Sequence, residues 1–143
     1  PGGLTYPGHP LAQASSVGSI DAMREEKVNE HSAEIGEKVI GPGLRDLMDK
    51  HKVIGEVRGL GVFWALDLVT DRATREPLAP YAGTSPAMTE LVAECKKRFL
   101  IPFTNFNRMH VVPPATVSEA EVTEGLAILE DVFGIIDAHY TGA

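Results

Sequence analysis

The sequence predicts an α+β domain, a small antiparallel sheet covered by helices. Three observations predict it. The apolar period changes from helical to alternating near Val53. Short alternating runs come in pairs, each joined by turn residues. Two helix-start signals, Ser85-Pro86 and Ser118-Glu119-Ala120-Glu121, set off further helices around those pairs.

Taken in order, Gly3-Leu4-Thr5-Tyr6-Pro7-Gly8-His9-Pro10 is a glycine-bracketed turn that runs into a proline at the first position of a helix. Backbone N–H groups at a helix start, with the Thr5 hydroxyl beside them, form a candidate anion site. Residues 10–23 read as a helix with small side chains almost all round, which implies a tightly packed or interfacial helix. A charged bend follows over residues 24–29. A second helix covers residues 28–50, with Val28, Ile35, Val39, Leu44, Leu47 and Met48 as its apolar stripe. Gly41-Pro42-Gly43 interrupts it and predicts a kink or break. Residues 53–58 and 62–68 alternate as strands, with Gly59-Leu60-Gly61 as the hairpin turn and Trp64 in the core. Residues 71–80 read as loop. A helix capped by Ser85 runs to about Phe99. Residues 100–104 and 109–112 are short strands around an Asn105-Phe106-Asn107 turn. The last helix turns Val122, Leu126, Leu129, Val132 or Phe133, and Ile136 inward.

The chain has 143 residues and a net charge of −7, so neither nucleic acid nor an anionic membrane is its main partner. Its longest apolar run, residues 61–66, is far too short to span a bilayer. The single Cys95 rules out an intrachain disulfide and suits a reducing, cytoplasmic compartment. Cys95 lies on an apolar helix face, as a buried structural thiol does. The five histidines do not form a metal-binding spacing, and no nucleophile elbow is present. Arg58-Gly59-Leu60-Gly61 lacks the third glycine and the following helix of a dinucleotide loop, and reads as a hairpin turn needing positive φ.

Three stretches resemble the class III (omega) aminotransferases, pyridoxal-phosphate enzymes of fold type I. They are Gly3 through Pro10, Gly55 through Leu68 continuing into Asp71-Arg72-Ala73-Thr74-Arg75-Glu76-Pro77, and Asn107 through Pro114 with the capped helix after it. The resemblance implies a C-terminal portion of such an enzyme. Residues 1–27 would be the tail of the large domain and residues 28–143 the C-terminal small domain. Thr5, helped by the backbone of Leu4 and Tyr6, would hold the cofactor phosphate of the partner subunit in a homodimer. Arg108 would contact the substrate carboxylate, and the small domain would close over the substrate with Arg108 or Phe103 facing it. Arg108 lies one residue from the family's commonest offset, and Ala115 replaces the usual Leu.

The resemblance also implies a Schiff-base lysine. Lys27, Lys38, Lys50, Lys52, Lys96 and Lys97 all lie in polar settings, so that lysine is expected upstream of Pro1. The missing initiator Met and the turn-like start fit the same expectation. The implied activity is transfer of an amino group from an omega-amino donor to pyridoxal phosphate and then to a keto acid. The segment alone would be inactive, and its partners would be the rest of the chain and the second subunit. The alternative is a non-catalytic α+β module that binds an anion or a protein through the Gly3–Pro10 turn.

Overall fold

The computed structural model describes residues 8–143. Helix α1 (Pro10–Glu25) has Pro10 in its first turn, where the missing N–H costs nothing. Gly8 precedes it at φ +85°, and His9 accepts the first helical bond, from Gln13 N–H, at 3.0 Å. None of the α1 residues is buried. Leu11, Val17, Ile20 and Met23 are exposed. Tight packing of this helix is therefore not achieved within the described residues.

Lys27, at φ +52°, turns the chain into α2 (Val28–Ile35). The predicted interruption of the long helix is a π-helical turn, Gly36–Ile40, that feeds into α3 (Gly41–Lys50). Pro42 has no N–H to bond four residues back, so the wider turn falls just before it. Close approach fixes the same place. A Cβ on Gly36 would lie 2.0 Å from the Gly61 carbonyl oxygen.

Strands β1 (Ile54–Leu60) and β2 (Phe63–Asp71) form the first hairpin. Its register pairs Leu60 with Phe63, so the tip is Gly61-Val62, just beyond the expected centre at Leu60. Gly61 has φ +56° and supplies the positive φ. Gly59 lies in the strand instead. It must be glycine for space, because a Cβ there would come within 2.4 Å of the Trp64 ring. Part of the expected 71–80 loop is strand β3 (Glu76–Pro77), which pairs with the end of β2.

Helix α4 (Pro86–Lys97) is capped as expected, the Ser85 hydroxyl accepting from Met88 N–H at 3.2 Å. Strands β4 (Phe103–Asn105) and β5 (Arg108–Val111) turn at Phe106-Asn107. Helix α5 (Glu119–Ile136) carries the full capping box. All strand pairs are antiparallel, and the order is β1-β2-β5-β4. One sheet face packs Trp64, Leu66, Leu68 and Met109 into a core with Leu44, Leu91, Val132 and Phe133. Both Val132 and Phe133 are fully buried, resolving the choice the helical spacing left open.

Candidate functional site

Strand alternation places a second set of side chains on the other sheet face. Leu66 and Leu68 point into the core, so Ala65 and Asp67 point away from it. The ladder then sets the rows. Arg58 stands opposite Ala65, and Ala65 opposite His110. Glu56 stands opposite Asp67, and Asp67 opposite Arg108. Phe103 stands opposite His110.

The rows make two groups. His110 lies edge-on between Phe63 and Phe103, with ring centroids 5.9 and 5.3 Å away. Both phenyl rings are more than half exposed, at 59% and 67%. Beside them is a charged row. Arg58 Nη1 donates to Asp67 Oδ2 at 2.6 Å and lies 3.3 Å from Glu56 Oε2. The Asp67 carboxylate, foremost, holds the Arg58 guanidinium even further above its ordinary pKa. Arg108 Nε is 3.8 Å from Asp67 Oδ1, an ion pair longer than a hydrogen bond. Met109, one residue on, is buried on the helix side. The one-residue offset noted for Arg108 thus decides which face its side chain occupies.

A polar cavity of about 320 Å³ adjoins this row, lined by Glu56, Asp67, Arg72, Arg75 and Asn107 among others. Arg72 is engaged there by backbone. Its Nη2 donates to the carbonyls of Met48, His51 and Ile54, and its Nε to that of Lys52 at 3.0 Å. The Met48 and His51 carbonyls end α3 and those of Lys52 and Ile54 lead into β1, so Arg72 caps that helix and ties its exit to the sheet from about 20 residues away.

Thr5, Leu4 and Tyr6 lie outside the described residues. The His9 side chain does not cap α1. Three other histidines also have structural partners. His31 Nε2 meets the Val117 carbonyl at 2.8 Å, His51 Nδ1 meets Asp137 at 2.8 Å, and His139 Nε2 meets Glu90 at 2.7 Å. No metal-binding cluster occurs among the described residues. Cys95 is fully buried, and desolvation pushes its thiol up to about 11. Burial of this kind makes a poor nucleophile.

The described residues do not by themselves fit pyridoxal phosphate. All six lysines are exposed. Lys38 pairs with Glu34 at 2.6 Å, Lys50 with Glu130 at 2.8 Å, and Lys97 with Glu94. Lys52 sits over the Tyr140 ring. None lies in an apolar enclosure.

A family model described as aminotransferase class-III matches residues 2–133. The chain belongs to the class-III aminotransferases. It is 36% identical to the 5-aminovalerate aminotransferase DavT of Pseudomonas aeruginosa, over 93% of this chain and 31% of that protein. It is 34% identical to the ethanolamine-phosphate phospho-lyase homolog 1 of Caenorhabditis elegans, over 93% of this chain and 28% of that protein. The taurine:2-oxoglutarate aminotransferase of Bifidobacterium kashiwanohense, solved in complex with PLP and glutamate, superposes with a TM-score of 0.86. That likeness covers 98% of this chain and 31% of that one, at 31% identity. This class-III chain spans less than a third of the length of the curated relatives named here.

Arg58, Asp67 and Arg72 fall within the stretches that resemble the family, but that resemblance assigns them no role. The available signal was strand parity. Glu56, Arg58 and Asp67 interrupt apolar strands at positions that alternation assigns to one face.

Proposed function

We propose that this chain is the C-terminal segment of a pyridoxal-phosphate-dependent aminotransferase that moves an amino group between an omega-amino donor and a keto acid. The observation that carries the reading is the likeness to the taurine:2-oxoglutarate aminotransferase, with nearly the whole chain superposed at a TM-score of 0.86. The Schiff-base lysine lies upstream, consistent with six exposed lysines here. Thr5, with the Leu4 and Tyr6 backbone, holds the cofactor phosphate of the second subunit of a cytoplasmic homodimer. Helix α1, small-residued and without a buried residue, packs against the large domain or the second subunit. The domain boundary falls at Lys27, whose left-handed backbone separates α1 from α2.

Arg108 binds the anionic end of the substrate. The donors named for several relatives, 5-aminovalerate, taurine and 4-aminobutyrate, each carry an anionic group at the end away from the amine. A guanidinium holds such a group by a charge-assisted fork. Arg108 has the exposure for this, its side chain being 38% accessible.

The test is amino transfer by the full-length protein from these donors to pyruvate or 2-oxoglutarate. Thr5→Ala should weaken pyridoxal phosphate binding by about tenfold or more, the loss expected for a hydrogen bond to a charged group. The 143-residue chain alone, treated with pyridoxal phosphate and borohydride, should carry no stoichiometric lysine adduct. Such an adduct on any of the six lysines refutes the upstream assignment. A second reading, a phospho-lyase, is favoured by the 34% identity to the Caenorhabditis elegans protein. Phosphate release from ethanolamine phosphate without dependence on a keto acid would select it.

A further inference from the structure

Asp67 is one carboxylate between two guanidiniums. It sits on the central strand β2, flanked by β1 carrying Arg58 and β5 carrying Arg108. Its side chain is 24% exposed, so it is partly short of water and a neighbouring cation answers part of that need. Arg58 meets that need at 2.6 Å, while Arg108, directly opposite in register, stays at 3.8 Å. Arg72, on the same cavity, is engaged by four backbone carbonyls. Arg75 is exposed on the turn between β2 and β3. Glu56 shares Arg58 at 3.3 Å, so the row holds two acidic and two basic groups.

We infer that Arg58 is a positioning residue for anion selectivity: by engaging Asp67, it keeps the Arg108 guanidinium open to the anionic end of an omega-amino substrate. This rests on the reading of Arg108 as the substrate contact. Without Arg58, Asp67 becomes the carboxylate with which every substrate anion must compete for Arg108. The effect falls on substrate binding and spares the bond-making groups, so it appears in KM and leaves kcat in place.

The experiment uses the full-length holoenzyme and a matched pair of donors, 5-aminovalerate and pentylamine, which differ by the carboxylate. The amine half-reaction is followed separately for each by the cofactor's absorbance. Arg58→Gln should lower the kcat/KM ratio of the anionic over the neutral donor by about fivefold, the upper range for a partly exposed ion pair. The change should lie in KM. Arg58→Lys should restore most of the ratio, and Asp67→Asn added to Arg58→Gln should restore it by removing the competitor. An unchanged ratio in Arg58→Gln, or a loss that the second substitution does not repair, overturns the inference. Arg108→Leu separates the two levels. If it collapses the ratio while Arg58→Gln does not, the relay alone is wrong. If Arg108→Leu leaves the ratio intact, the substrate assignment fails and the relay fails with it.

Discussion

Removing the fork of Arg72 should release the end of α3. Arg72→Met keeps most of the stem and deletes every donor. Four carbonyls lose a partner, but unequally. Lys52 is exposed and Met48 half-buried, so their carbonyls can turn to water. The His51 carbonyl keeps the Ile54 N–H at 3.1 Å. The Ile54 carbonyl belongs to a fully buried residue and accepts from Arg72 at 2.9 Å. Taking a charged donor from a buried carbonyl costs about 1–3 kcal/mol, and loss of a cation at a helix C-terminus adds about 0.3–1 kcal/mol. The expected loss is about 2–3 kcal/mol, which lowers the Tm of a chain this size by about 10 °C. Urea and thermal unfolding of wild type, Arg72→Met and Arg72→Lys, followed by circular dichroism, measure it. Lysine retains the charge but reaches fewer carbonyls, so it should fall between the two. A loss below about 0.5 kcal/mol for Arg72→Met would mean that water replaces the guanidinium, and the cap argument would be wrong.

Two further outcomes follow from other contacts. Gly36→Ala should destabilise by about 3 kcal/mol or more in urea unfolding, because its Cβ meets backbone and must part the π turn from the hairpin tip. Gly43→Ala, whose Cβ meets only the flexible end of Leu126, should cost far less. At the α5 start, the Ser118 backbone N–H, and then its hydroxyl, hold the Glu121 carboxyl below its ordinary 4.5. A folded pKa below the unfolded one gives stability that is complete above 4.5 and is lost as pH falls through the lowered value. The stability gap between wild type and Glu121→Gln should therefore be present at neutral pH and close in acid. A gap that persists at the lowest pH would contradict the capping-box account.

The sequence by itself determined what depends on near neighbours. Ser85 and Ser118 cap their helices because the hydroxyl and the N–H it accepts lie three residues apart. Strand parity puts Trp64, Leu66 and Leu68 on one face for the same local reason. The order Gly3 through Pro10 and the later likenesses carried the family. Tertiary structure decided what depends on residues far apart in the chain. The hairpin tip at Gly61 and the π turn at Gly36 lie against each other, close enough that a Cβ on Gly36 would meet the Gly61 carbonyl. Arg72 caps a helix whose last turn lies about 20 residues earlier, and nothing local to Asp71-Arg72-Ala73 announces it. Asp67 meets Arg108 only because β5 joins the sheet beside β2, after α4 and β4 have intervened. Charge rows of this kind are built by register, and register is set when the strands pair.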